Sequence, residues 1–361
     1  MRTSAIVFLL ALVTGAVHGQ STKGKPSASK GAATEPAPKF KAIWEPVNYG
    51  KDINLQAVHF VSPDEGWIVG DKNTILHTAS GGKTWEVQLG GDLESTERAL
   101  SEVFFVDAKH GWARAAEKLF RTRDGGGTWE QVASKSGNWR KLTFVSPRIG
   151  FIIHADAIER TEDGGQTWKP IFKCTIDLLV GGLARKSACT FRDLAFPSTQ
   201  FGYAIGTDNA GAGAGILART QDGGQTWVAT HPASLDGEGL KLRFWDDKSG
   251  IAMVRGKNLV TRDSGETWTP TVLSFHHGDT SLALAGQGFG VAALYQEIAY
   301  TTNAGRSFAT RAFPIPTGAL ALHFPDAQHG YVIGDHGMVY RYRIVPIAYQ
   351  VPGLIPAVSA P

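Results

Sequence analysis

Thr161-Glu162-Asp163-Gly164-Gly165-Gln166-Thr167-Trp168 is an octet that the chain repeats five more times, and the spacing of the copies decides the fold. Residues 122–129, 220–227 and 261–268 keep every defining position. Residues 78–85 put Ser80 where the Asp belongs, and residues 301–308 are a degenerate copy with Asn303, Ser307 and Phe308. A short acceptor side chain such as Asp163 can take hydrogen bonds from backbone N–H groups a few residues on, while the paired glycines reach positive φ without a Cβ clash. Each octet is therefore expected to be a tight hairpin turn. The Trp that follows, with about 150–250 Å² to bury, is expected to fasten that hairpin to its neighbour.

Upstream of each octet stand an apolar strand, a turn ending in Gly plus an aromatic or aliphatic residue, and a second short strand. Aligned on that Gly, the units carry Gly66, Gly111, Gly150, Gly202, Gly250, Gly290 and Gly330. The octets recur every 39 to 44 residues, with one 59-residue interval between Trp168 and Trp227. Four short strands per repeat of about 40 residues describe a propeller blade, whose sheet buries its faces only against neighbouring blades. The expected fold is all-β, a seven-bladed β-propeller over residues 39–345. The last unit lacks an octet, whereas Lys41-Ala42-Ile43-Trp44-Glu45-Pro46-Val47 reads like the strand that normally follows one. This N-terminal strand is expected to close the ring as the outer strand of blade seven, which removes an open sheet edge.

The octet resembles the Asp-box, or bacterial neuraminidase repeat, of sialidases, some endoglucanases, sortilin-type receptors and photosystem II assembly factors. In those proteins it is a structural turn on the rim of a propeller. The resemblance gives structural roles to Asp124, Trp129, Asp163, Trp168, Asp222, Trp227, Asp263 and Trp268. The fuller pattern of Phe, five residues, Gly, aromatic, as in residues 60–70 and 324–334, is similar to the photosystem II assembly and stability factor family. That likeness implies a non-catalytic lumenal or periplasmic scaffold that binds a protein, one candidate being a membrane-protein complex under assembly. The competing class is a glycoside hydrolase of sialidase or endoglucanase type. It needs converging arginines with a Tyr–Glu pair, or two carboxylates facing one cleft. The chain has Tyr295-Gln296-Glu297 but no arginine motif near the first blade, where Ala42-Ile43-Trp44 and Leu55-Gln56-Ala57 stand instead.

Residues 1–19 combine one basic residue, Arg2, with an apolar run over 5–17 and a small-residue exit, and read as a signal peptide. The mature chain is expected in the periplasm or outside the cell, without stable membrane insertion. Residues 20–38 hold Ser, Lys, Pro, Ala and Gly with no large apolar side chain, the composition of a disordered linker. Residues 346–361 form a Pro-rich tail. The formal charge of +3 falls to +2 once Arg2 is lost, so composition argues against a nucleic-acid partner. A monomer without cofactor is expected. Cys174 and Cys189, the sole cysteines, are expected to pair as a disulfide in an exported chain.

Charge alternates on the inner strands, three residues before each anchoring aromatic: Glu102, Lys141, Asp193, Lys241. Arg140 and Arg192 precede two of these, and Arg243 follows Lys241. These groups are expected at the channel mouth, either as blade-to-blade ion pairs or as a ring that binds a carboxylate, sulfate or acidic protein segment. His276-His277-Gly278-Asp279 offers metal donors, but no third ligand is fixed by spacing, so no metal site is assigned. His154 and His336 are expected to be solvated.

Overall fold

The computed structural model describes residues 40–347, apart from 48, 94–96, 117, 135–138, 181, 212, 238–240, 255–256, 272–280, 287, 294–296 and 314–318. Residues 1–39, where a signal peptide and a linker are expected, and residues 348–361 of the tail thus lie outside the described residues. Seven antiparallel sheets follow one another as blades. The first contains Leu55–Phe60, Gly66–Gly70, Thr74–Thr78 and Glu86–Leu89, from the channel outward. The octets join third to fourth strands, on the same face as the Gly turns between first and second strands. Connections between blades, and turns between second and third strands, lie on the other face.

The ring closes with Phe40–Pro46 on the outside of blade seven, paired antiparallel to Val339–Pro346 from Phe40↔Pro346 to Pro46↔Tyr340. Pro346 is the last residue of a strand, so the sheet runs one residue into the Pro-rich tail. Glu45 is buried in this closure and pairs with Arg341 and Arg343. Burial would push its carboxyl up, yet the two guanidinium groups hold it below the ordinary carboxylate range.

The repeated Phe and Gly have one physical origin. In blades one to five and seven the anchoring Phe ring lies over the turn Gly, as Phe60 does over Gly66 and Phe105 over Gly111. A Cβ at that Gly would overlap the ring. The aromatic after the Gly then stacks on the anchoring Phe of the next blade. Ring centroids are 3.5 Å apart for Trp67 and Phe105, 3.6 Å for Trp112 and Phe144, 4.2 Å for Phe151 and Phe196. They are 3.9 Å apart for Tyr203 and Phe244, and 3.5 Å for Tyr331 and Phe60. Aromatic pairs of this kind contribute about 0.5–1.5 kcal/mol beyond area burial.

The octets are closed by their own side chains. Asp163 accepts from the Thr167 N–H and hydroxyl, at 2.9 and 2.6 Å, while the Thr161 hydroxyl accepts the Gly165 N–H at 2.9 Å. Asp124, Asp222 and Asp263 repeat this pattern. These hydrogen bonds favour the charged carboxylate, and Asp124, Asp163 and Asp222 are held down at about 2. The octet Trp meets the anchoring Phe of its own blade edge-on, as Trp129 meets Phe105 at 6.0 Å and Trp168 meets Phe144 at 6.0 Å. Trp44 does the same to Phe324 at 6.0 Å, as a fourth strand should. Trp227 and Trp268 are buried, and Trp129 and Trp168 half-buried. The rings after the Gly turn cross the joints by stacking, and the octet Trp227 also reaches its neighbour, with Phe151 and Phe172 of blade three at 6.5 and 6.4 Å, as the sequence pattern had suggested.

Candidate functional site

The inner strands of all seven blades line a central cavity of about 580 Å³. Side chains that alternate with the buried anchors face it in two tiers. The upper tier includes Glu102, Lys141 and Lys241, and the lower tier includes His59, Phe104, Arg243 and His323, while Asp193 is buried beside the cavity rather than lining it.

Most of the alternating charges neutralise one another across the joints. Glu102 accepts from Arg114 Nε at 2.9 Å on its own sheet and pairs with Lys141 Nζ of the next blade at 3.1 Å. Burial raises its carboxyl, but Lys141 and Arg114 outweigh burial and keep it below the ordinary value. Asp193 is buried, and its Oδ2 accepts the Leu242 N–H and Arg243 Nη1 of the next blade, each at 2.8 Å. Arg243 is thereby engaged in a joint rather than free at the mouth. Arg114, which the inner-strand alignment missed, sits on the second strand opposite Glu102 in register. Its one sequence signal is that cross-strand position.

Arg140 and Arg192 behave differently. Arg192 is the extra residue of a bulge, since Phe191 faces Gly206 and Asp193 faces Ile205. A bulge re-aims the side chain it carries, and Arg192 is exposed. Arg140, four residues before Phe144 as Arg192 is before Phe196, is exposed on the neighbouring blade. Partial burial and the charge of Arg192 beside it lower the Arg140 guanidinium from its ordinary value. Among the described residues neither side chain has a carboxylate partner. Two like charges thus stand at the starts of neighbouring inner strands, on the face of the inter-blade connections, near enough to repel.

Lower in the channel, His59 and His323 bring blades one and seven together, with ring centroids 4.7 Å apart, and His59 lies 4.9 Å from Phe104. Burial lowers His59 to about 4, and burial with the neighbouring His59 holds His323 well below 6.5. His323 Nδ1 accepts the Phe60 N–H at 3.2 Å, which occupies the lone pair a metal would need on that nitrogen. Among the described residues no group of three or more His, Cys, Asp and Glu could hold a metal ion. His276-His277-Gly278-Asp279 lies outside the described residues, as do Tyr295 and Gln296. His154 faces buried Glu159 at 3.2 Å instead of being solvated, whereas exposed His336 pairs with Asp52 at 2.6 Å.

The long 59-residue interval holds a disulfide and a hairpin. Cys174 and Cys189 are bonded and fully buried. Between them Thr175–Val180 pairs with the first half of the 13-residue strand Leu183–Ala195, whose second half is the inner strand of blade four. The sulfur bridge therefore clamps the base of a hairpin added to the blade.

The family model described as photosynthesis system II assembly factor YCF48 matches residues 37–191. Among solved structures, that of YCF48 bound to a D1 peptide is similar at 20% identity and a TM-score of 0.62, covering 86% of this chain and 99% of that one. YCF48 from Cyanidioschyzon merolae matches at 19% identity and 0.63, covering 83% and 98%. The GH74 xyloglucanase of Xanthomonas campestris shares the architecture at 14% identity and 0.56, covering 82% of this chain and 53% of its own. No curated protein matches the chain. The chain is an Asp-box β-propeller that resembles the photosystem II assembly factor family.

Proposed function

We propose that this chain is a non-catalytic, protein-binding assembly or stability factor that receives an acidic segment of its partner at the channel rim. The observation that carries this reading is the exposed Arg140 and Arg192 pair, two adjacent guanidinium groups without a counter-charge among the described residues. Guanidinium groups in such a pair suit carboxylates, which they can bind through two parallel hydrogen bonds each. The similar YCF48 propeller bound to a D1 peptide makes a polypeptide the natural class of ligand. The carboxylates of these inner strands give little support to glycoside hydrolysis, because Glu102 and Asp193 are both tied into cross-blade ion pairs. In this reading residues 1–19 export the protein to the periplasm or the extracellular space, where it acts as a monomer on a partner complex.

The test compares the protein with its Arg140→Glu/Arg192→Glu variant. Partners captured by the protein from the envelope fraction are identified, purified and titrated at about 50 and about 300 mM salt. The variant should bind about tenfold more weakly or worse, with a flatter salt dependence, because rim charges act through screened attraction. Asp163→Ala is the control: it should lower stability and leave the affinity of the folded fraction alone. Equal affinity of the folded arginine variant would remove this site.

A further inference from the structure

The added hairpin of blade four differs from the outer strands of blades one to six in how it treats its edge; of the others only Phe40–Pro46, which ends in proline, is as long and unbroken. Outer strands of blades one, two and three each carry a register shift, and those of blades four and five are three and two residues long. That of blade six has four residues. Short, bulged edges resist pairing with other chains. Thr175–Val180, by contrast, runs six residues in unbroken register with 183–188, contains no proline, and has no strand on its other side among the described residues. Its base is fixed by the buried Cys174–Cys189 bond, and Leu178 is buried against the core of blades three and four. An edge already held in strand geometry loses little further entropy when another strand is added.

The charge around this edge selects what is added. Leu183, Arg185 and Lys186 are exposed, Leu183 by 63%, and neither cation has an ion-pair partner among the described residues. The same strand continues to Arg192, so three cations lie along one element about 40 Å long at about 3.3 Å per residue. Asp177 is the opposing charge on the hairpin. We infer that the disulfide-clamped strand pair of Thr175–Val180 with residues 183–188 is a docking arm that takes an extended, acidic segment of a partner polypeptide as an added strand along Thr175–Val180. Main-chain hydrogen bonds hold the segment, Arg185 and Lys186 choose its charge, and Leu183 offers a contact for an apolar side chain. The arm goes beyond the rim reading and rests on it only for the direction in which the segment continues.

Two synthetic peptides of equal charge test it, one alternating Glu with Val and one alternating Glu with Gly, together with a Lys–Val peptide. The Glu–Val peptide should bind the intact protein best, and amide exchange over 175–180 should slow about tenfold or more while Phe40–Pro46, the control edge, keeps its rate. Arg185→Glu/Lys186→Glu should lose about tenfold in affinity. Opening the disulfide with reductant should weaken binding while the near-ultraviolet spectrum of the ring persists. Equal binding of the Glu–Val and Glu–Gly peptides, or affinity unchanged in the hairpin variant, would overturn the arm. Loss of peptide binding only in Arg140→Glu/Arg192→Glu would also overturn it and leave the rim reading standing.

Discussion

Joint two/three and joint five/six solve the same packing problem with different side chains. In the first, Trp112 is buried, stacks on Phe144 at 3.6 Å and donates from Nε1 to the Gly164 carbonyl of the next octet at 3.0 Å. Arg121 adds a bond to the Asp163 carbonyl of the same octet at 2.7 Å. In the second, Ile251 stands at the Trp112 position and Leu284 at the Phe144 position, within an aliphatic cluster that includes Met253 and Val260. The octet of blade six is also the degenerate one, with Asn303 accepting from the Ser307 N–H at 3.0 Å. Its cross-joint bonds run from Trp245 Nε1 to the Phe289 carbonyl at 2.7 Å and from Arg262 to the Ala304 carbonyl at 3.3 Å. Of these two joints, the octet keeps its Asp where an aromatic ring meets both a Phe and an octet carbonyl, and has drifted to Asn where Ile251 and Leu284 stand in place of the rings.

Removing the ring should produce the largest effect. Trp112→Ala is expected to destabilise the protein by about 3–5 kcal/mol, as loss of a buried aromatic generally does. Ile251→Val should cost only about 0.5–1.5 kcal/mol. Urea unfolding curves of the two variants check the contrast, and equal costs would break it. The smallest effect belongs to pH. His59 and His323 titrate below 6.5 in the fold, so the unfolded chain gains protons first as pH falls. Stability is then lost progressively from about pH 6.5 down to about 4, the value to which His59 is lowered. The octet carboxylates contribute in a separate window, their stability being lost as pH falls from 3.8 through about 2. His59→Phe should therefore flatten the fall in melting temperature between pH 7 and pH 5 and leave the acid limb unchanged; an unaltered fall would remove the histidine pair as its cause.

The propeller was legible because its repeats are local. A Thr, an Asp, two glycines and a Trp close a turn within eight residues, and a Phe six residues before a Gly covers that Gly. Trp44 was identifiable as a fourth strand by its neighbours alone, and the disulfide by the scarcity of cysteine. The partnerships of charged residues were much less legible, because they depend on register between strands. Lys141 and Arg243 looked alike beside their inner strands, yet both pair across joints. Arg140 and Arg192 stay exposed, and it is a one-residue bulge at Arg192 that makes the difference there. No sequence period announces a bulge. The hairpin was hidden for a related reason, since Leu183–Ala195 changes partner halfway along one continuous strand.

Closure by Phe40–Pro46 also dictates an order of events during synthesis. The first strand of the ring pairs with the last, Phe40 with Pro346, so its partner is among the final parts of the propeller to leave the ribosome. Every earlier strand pair can form within its own blade, but this one must wait until more than three hundred further residues have been made. Such a long-range contact carries the loop-closure entropy of the whole ring and comes late in folding. Until then Val339–Pro346 of blade seven keeps an unpaired outer edge, and the facing sides of blades one and seven stay uncovered. The ring thus ties its two ends together chemically, since Glu45 of its first strand and Arg341 of its last are 296 residues apart in sequence and share one buried ion pair.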